Sequence, residues 1–277
     1  MSGLVEKRHL SQRNFYIHVA HHRIFAQYIQ PDSEDTKKSP ATLVFLHEGL
    51  GSIGQWRDFP ACLSIMTGLP ALVYERWGYG SSDALNIPRT VLYLHDEALI
   101  SLPQVLEQVN INDAILIGHS DGGSIALIFS AIHGNKVRGI ITEAAHVFVE
   151  DVTIAGIRQA AELYETTDLK YRLHKFHKNN TDSMFRAWAD TWLAPWFRNW
   201  NIEEYLSRIT CPLLIIQGED DEYGTRAQVE SIISQAGGPA EGFIVSDCGH
   251  VPHHQARESV LNEMTRFISS LVHSKEI

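Results

Sequence analysis

A chain of 277 residues that is 44% hydrophobic and 20% charged carries enough apolar side chain for one large core, with or without an inserted subdomain. Its formal net charge of −10 repels phosphate backbones and anionic lipid, which argues against nucleic acid as a partner. No apolar run approaches the ~20 residues needed to cross a bilayer, and the polar stretch 1–13 lacks the apolar centre of a secretion signal, so a cytoplasmic protein without membrane insertion is expected.

Residues 14–20 and 23–28 alternate around His21-His22 and predict an antiparallel hairpin. A polar turn over 32–40 follows. Residues 42–46 are continuously apolar, as in a strand buried on both faces, and comparable runs recur at 71–74, 114–117, 139–142, 213–216 and 242–245. Helical patterns occupy 91–109, 123–132 and 257–271. Strands alternating with helices predict an α/β architecture, a mostly parallel eight-stranded sheet covered by helices on both faces.

The interval 147–200 breaks that rhythm. It holds no buried strand pattern, but it contains four of the six tryptophans: Trp188, Trp192, Trp196 and Trp200. A helical cap inserted after the sixth strand is expected there, dividing the chain into a core (1–146 and 201–277) and a cap (147–200). Most of these aromatics are expected to pack the cap itself. Trp188 and Trp192, with His146 at the cap's start, are candidate walls of a substrate pocket.

The motif with most chemistry is Ile115-Leu116-Ile117-Gly118-His119-Ser120-Asp121-Gly122-Gly123-Ser124. A short apolar strand runs into G-x-S-x-G and then a helical stretch. Small residues around Ser120 let the backbones of a sharp strand-to-helix turn approach one another. Nucleophilic serine chemistry needs a base and a group that orients the base. Gln217-Gly218-Glu219-Asp220-Asp221-Glu222-Tyr223 follows one apolar run and offers acids; Asp247-Cys248-Gly249-His250-Val251-Pro252 follows the last and offers a histidine. Glu219, Asp220, Asp221 and the more distant Glu143 all remain open as the acid at this point. The cysteines Cys62, Cys211 and Cys248 form no C-x-x-C pair, and no H-E-x-x-H spacing, Walker loop or dinucleotide G-x-G-x-x-G is present. No disulfide framework, metal or organic cofactor is expected.

Five motifs in order give the chain a resemblance to the alpha/beta-hydrolase superfamily, in its small cap-bearing branch. His47-Glu48-Gly49-Leu50-Gly51 resembles the oxyanion loop H-G-x-x-G. Arg76-Trp77-Gly78-Tyr79-Gly80-Ser81-Ser82 resembles the R-G-x-G-x-S turn. Residues 118–123 match the nucleophile elbow, Gly218-Glu219-Asp220-Asp221 the G-x-x-D acid turn, and Gly249-His250 the terminal G-H. The resemblance implies Ser120 as nucleophile, His250 as general base and acid, Asp221 as orienting acid, and the N–H groups of Gly49 and Asp121 as oxyanion donors. It also implies a small-molecule, ester-type substrate. The expected activity is hydrolysis of small carboxylic esters or thioesters with an apolar or aromatic part, through an acyl-enzyme. Carbon–carbon hydrolysis, cofactor-free dioxygenase or lyase chemistry, and a non-enzymatic receptor are the alternatives on this fold. A homodimer is compatible with it.

The chain departs from the family pattern where Glu48 replaces a glycine, where Asp121 places a carboxylate directly after the serine, and at Gln255 and Arg257. Unpaired charge near a closed site is costly. Both acids are therefore expected to turn away, toward Arg76, Arg57 or His47. The sharper reading is that one faces the pocket and holds a substrate ammonium, and Glu48 is kept among the candidate pocket residues.

Overall fold

A computed structural model describes residues 10–32 and 41–273. The expected turn over 32–40 lies, after Asp32, outside the described residues. Eight strands form one sheet in the order β1-β2-β4-β3-β5-β6-β7-β8. They are β1 Leu10–Val19, β2 His22–Pro31, β3 Thr42–Leu46, β4 Ala71–Tyr74, β5 Ala114–His119, β6 Val137–Glu143, β7 Leu213–Gly218 and β8 Ala240–Val245. The β1–β2 hairpin is antiparallel and joins β4 antiparallel; every other neighbouring pair is parallel.

The apolar runs divide their side chains between two cores. Val44, Leu46 and Leu116 face one layer, while Leu43, Phe45, Ile115 and Ile117 face the other, the period-2 consequence of a pleated strand. On the second face the sheet is covered by α1 Phe59–Thr67 and α11 Arg257–His273, through Phe59, Leu63, Met264 and Phe267. On the first it is covered by α2 Tyr93–Asp96, α3 Leu102–Gln108 and α4 Asp121–His133. The helix expected over 91–109 is broken by a π-helical turn at Glu97–Ser101. Pro103 follows that turn and has no N–H to donate to Leu99, which disfavours regular α geometry there.

Between β6 and β7 lie α5 Asp151–Thr166, α6 Leu169–His177, α7 Thr181–Leu193 and α8 Glu203–Leu206. The two ends of this insertion meet at an antiparallel bridge between Phe148 and Asn201. Helix α7 buries Met184, Phe185, Trp188, Ala189 and Trp192, one stripe at helical spacing. Core residues grip the insertion. His177 accepts from the Gly80 N–H and donates to the Leu50 carbonyl, and Asn180 donates to the carbonyls of Gly80 and Ser82. After β7, α9 Arg226–Gln235 leads to β8, and α10 Pro252–Gln255 follows it. No helix among the described residues is long and apolar enough to cross a membrane. Cys62, Cys211 and Cys248 are free thiols.

The junction that carries Ser120 is tight. Only Ser120 separates β5 from α4. A Cβ on Gly122 would lie 2.0 Å from the Leu46 carbonyl oxygen, and one on Gly118 would lie 2.3 Å from the Gly122 oxygen. Both obstacles are backbone and cannot rotate away. Gly122→Ala is therefore expected to cost about 2–3 kcal/mol, as overpacking does. Urea unfolding would show a lowered midpoint, and an unchanged midpoint would mean that the elbow packs less closely.

Candidate active site

Ser120 sits at φ 52° and ψ −116°, a left-handed conformation strained for a residue with a Cβ. The strain is held by hydrogen bonds on both sides: the Ser120 N–H donates to the Glu143 carbonyl (2.8 Å), and the Ser120 carbonyl accepts from the Gly123 N–H (2.8 Å). Helix α4 starts at the next residue, so the serine stands over the positive end of a 13-residue helix.

His250 follows β8 in sequence and reaches Asp221, which follows β7. Its Nδ1–H donates to Asp221 Oδ1 at 2.8 Å and Oδ2 at 3.0 Å. The carboxylate also accepts from the Tyr223 N–H (2.8 Å) and from Gln217 Nε2 (2.6 Å). Burial opposes ionisation of Asp221, but the His250 charge and these hydrogen bonds outweigh it and hold the carboxyl below its usual range. Burial likewise disfavours charge on His250. Asp221, with smaller contributions from Glu48 and Glu222, reverses that and raises its pKa. With Nδ1 engaged, Nε2 is the nitrogen without a hydrogen bond among the described residues. His119 Nε2–H donates to the His250 carbonyl (2.7 Å) and fixes the loop from behind; burial lowers the His119 pKa to about 3, so this ring is neutral.

The competing acids lie elsewhere. Glu219 and Asp220 are exposed, with Glu219 paired to Arg226. Glu143 is fully buried against His253, accepting from its backbone N–H (2.9 Å) and meeting its Nδ1 (3.0 Å). This contact spans 110 positions and has no sequence signal.

Ser120 and His250 line one cavity of about 150 Å³, together with Glu48, Gly49, Leu50, Asp121, His146, Thr153, Ile157, Trp188, Trp192, Glu222, Tyr223 and Val251. All the candidate pocket residues therefore converge here. A Cβ on Gly49 would lie 2.2 Å from Trp188 Nε1, so the indole closes directly over the loop backbone. The Gly49 and Asp121 N–H groups are not paired with backbone carbonyls among the described residues. His146 Nε2–H donates to the Tyr223 carbonyl (3.1 Å), and burial keeps this ring neutral.

Arg76 ties the loop that carries Gly49 to the start of α4. It is 1% exposed and donates through Nη2 to the Glu48 carbonyl (2.7 Å) and through both terminal nitrogens to Asp121 Oδ2 (3.4 Å). Tyr93 donates to the same Asp121 oxygen (3.0 Å) and accepts from Trp192 Nε1 (2.8 Å). His47 accepts from the Arg76 N–H at Nε2 (3.1 Å) and donates from Nδ1 to the Glu48 carbonyl (2.8 Å), a tautomer fixed by both contacts. Asp121 thus turns toward Arg76. Glu48 does not, contrary to the expectation for both acids. Its carbonyl takes the Arg76 and His47 donors, and its side chain is left toward the cavity. One Glu48 carboxylate oxygen and one ring nitrogen each of His119 and His250 lie within 4.8 Å of one another. A cation could share that spacing, which the sequence spacing did not suggest. Departures at Gln255 and Arg257 stay local: Gln255 accepts from the Val251 N–H, and Arg257 pairs with Asp58.

Comparison with known proteins gives the family and the fold. Residues 43–263 match the model of the alpha/beta hydrolase family. The chain is 25% identical over 289 aligned positions to a proline iminopeptidase of Saccharolobus solfataricus, covering 90% of this chain and 91% of that protein. Over 53% of this chain and 51% of the other, it is 27% identical to a 2-succinyl-6-hydroxy-2,4-cyclohexadiene-1-carboxylate synthase of an Enterobacter species. Among solved structures, the naproxen esterase of Bacillus subtilis superposes with a TM-score of 0.71 at 18% identity, covering 93% of this chain and 92% of that one.

Proposed function

The chain belongs to the alpha/beta hydrolase family, and from that premise we propose that it is a serine hydrolase of small carboxylic esters or thioesters with an apolar or aromatic part, working through Ser120, His250 and Asp221. The observation that carries this reading is the Asp221-held His250 in the same cavity as the strained Ser120.

His250 Nε2 removes the Ser120 proton as the hydroxyl attacks the substrate carbonyl. The oxyanion that develops faces the N–H groups of Gly49 and Asp121, the second aligned with the α4 dipole. Collapse of the intermediate transfers the proton from His250 to the departing alcohol or thiol and leaves an acyl-enzyme. Water, deprotonated by His250, repeats the attack and frees the acid. Asp221 keeps the ring in the tautomer that presents Nε2 and favours the imidazolium formed in each half-reaction. We assign the inserted helices 147–200 the role of a cap. Thr153, Ile157, Trp188 and Trp192 come from them into the cavity, and their apolar surface suits an apolar acyl or aromatic group.

Asp221→Asn tests the constellation. It is expected to lower kcat for a simple aryl ester by about 10³–10⁴-fold. His250 acts as a base only when neutral, and Asp221 raises its pKa above the ordinary 6.5. The native kcat/KM profile should therefore fall on the acid side at a midpoint above that value. In Asp221→Asn the midpoint should move down. A pH–rate series measures both, and an unmoved acid limb would remove Asp221 from this role.

A further inference from the structure

Three acidic residues line the Ser120 cavity, Glu48, Asp121 and Glu222, and among the described residues no lysine or arginine does. Two of them are engaged. Asp121 is bound to Arg76 and Tyr93, and Glu222 Oε2 accepts the His250 N–H (3.2 Å). The Glu48 carboxylate makes no hydrogen bond or ion pair among the described residues. A largely enclosed carboxylate without a partner is costly, and its surroundings here are aromatic: Trp188, Trp192 and Tyr223 line the same space. An acid in a cavity walled partly by aromatic side chains is the chemistry that takes up an organic cation.

Position says which part of the substrate bears it. A Glu48 oxygen lies within 4.8 Å of a His250 ring nitrogen. On the mechanism above, His250 is the group that hands a proton to the departing alcohol or thiol, so Glu48 flanks the leaving group. The neighbouring cavity that Glu48 also lines carries Arg57 and Arg172. A cation is therefore favoured on the Ser120 side of Glu48.

We infer that Glu48 selects esters whose leaving group carries an ammonium or trimethylammonium cation. This rests on the serine-hydrolase reading above and adds the substrate's charge to it. The test is a pair that differs only by nitrogen for carbon, acetylcholine and 3,3-dimethylbutyl acetate. The native protein should show kcat/KM at least about tenfold higher for the cation, and Glu48→Gln should bring the ratio to near one. Turnover of both esters at equal efficiency, or a ratio unchanged in Glu48→Gln, would overturn the inference and leave the hydrolase reading standing. Turnover of neither would take down both. If Glu48→Gln fails to fold, choline and 3,3-dimethylbutan-1-ol serve as competing inhibitors of the native protein. Tighter inhibition by choline supports the inference, and equal inhibition overturns it.

Discussion

Ser120→Ala is expected to lower kcat for ester hydrolysis by at least about 10⁴-fold while leaving the fold intact. Removing the nucleophile of such a constellation abolishes almost all of its chemistry, since base and orienting acid then have nothing to activate; what persists comes from oxyanion donors and binding. The folded state should tolerate the change, because the backbone contacts to Glu143 and Gly123 hold the elbow and, among the described residues, no hydrogen bond of the Ser120 hydroxyl does. Loss of the hydroxyl also relieves nothing at φ 52°, since alanine keeps the Cβ. Kinetics on an aryl acetate, with a circular-dichroism melt alongside, reads both quantities. The same variant separates the reaction classes open to this fold. Oxygenase or lyase chemistry run by His250 and Asp221 alone would survive the substitution. Retention of more than about a tenth of the native rate would therefore reject the acyl-enzyme route.

Arg76→Met should give the largest loss of stability, about 3–5 kcal/mol, the range for breaking a buried ion pair by removing one partner. Arg76 and Asp121 are each 1% exposed at the side chain. Without the guanidinium, Asp121 keeps, among the described residues, only the Tyr93 hydroxyl as a side-chain donor. The Glu48 carbonyl also loses its 2.7 Å contact, so the loop that carries Gly49 is freed on one side. A fall in kcat should accompany the fall in stability. Met retains much of the side-chain volume, so packing against the Tyr79 ring, 4.6 Å from the guanidinium carbon, changes less than charge does. Adding Asp121→Asn to Arg76→Met should recover part of the lost stability, because the orphaned charge is then gone. Urea unfolding of the three variants checks this. A loss below about 1 kcal/mol in Arg76→Met, or no recovery in the double variant, would show that the pair does not hold this layer together.

Most of the parallel strands were legible because burial on both faces favours apolar side chains. All of β3 and β5 is buried, and their stretches 43–46 and 114–117 read as unbroken apolar runs. β8 departs from that expectation: it is an edge strand, exposed at Glu241 and Gly242, although 242–245 reads as a buried run. The hairpin was legible only in part. β1 begins at Leu10, four residues before its alternating stretch, because Ser11, Gln12 and Arg13 are exposed on an edge strand and pair through backbone alone. The π turn at Glu97–Ser101 was hidden inside an otherwise helical pattern. In the candidate site, Ser120, Asp221 and His250 stand out in the sequence because each lies at a tight turn whose small neighbours are local. The direction of Glu48 could not be. It is decided by a guanidinium 28 positions away that takes its carbonyl, and by a histidine tautomer set from both sides. Glu222 gave no signal either, since its contact is to a backbone N–H.

On the proposed mechanism, the imidazole of His250 and the carboxylate of Asp221 make Ser120 reactive. Intact-mass analysis after exposure to a fluorophosphonate tests it most directly. One adduct per chain is expected, located on Ser120 by peptide mapping, formed in step with loss of esterase activity, absent in Ser120→Ala and strongly slowed in Asp221→Asn. An unlabelled Ser120 in protein that still turns over esters, or an adduct on a different residue that tracks the loss of activity, would contradict it.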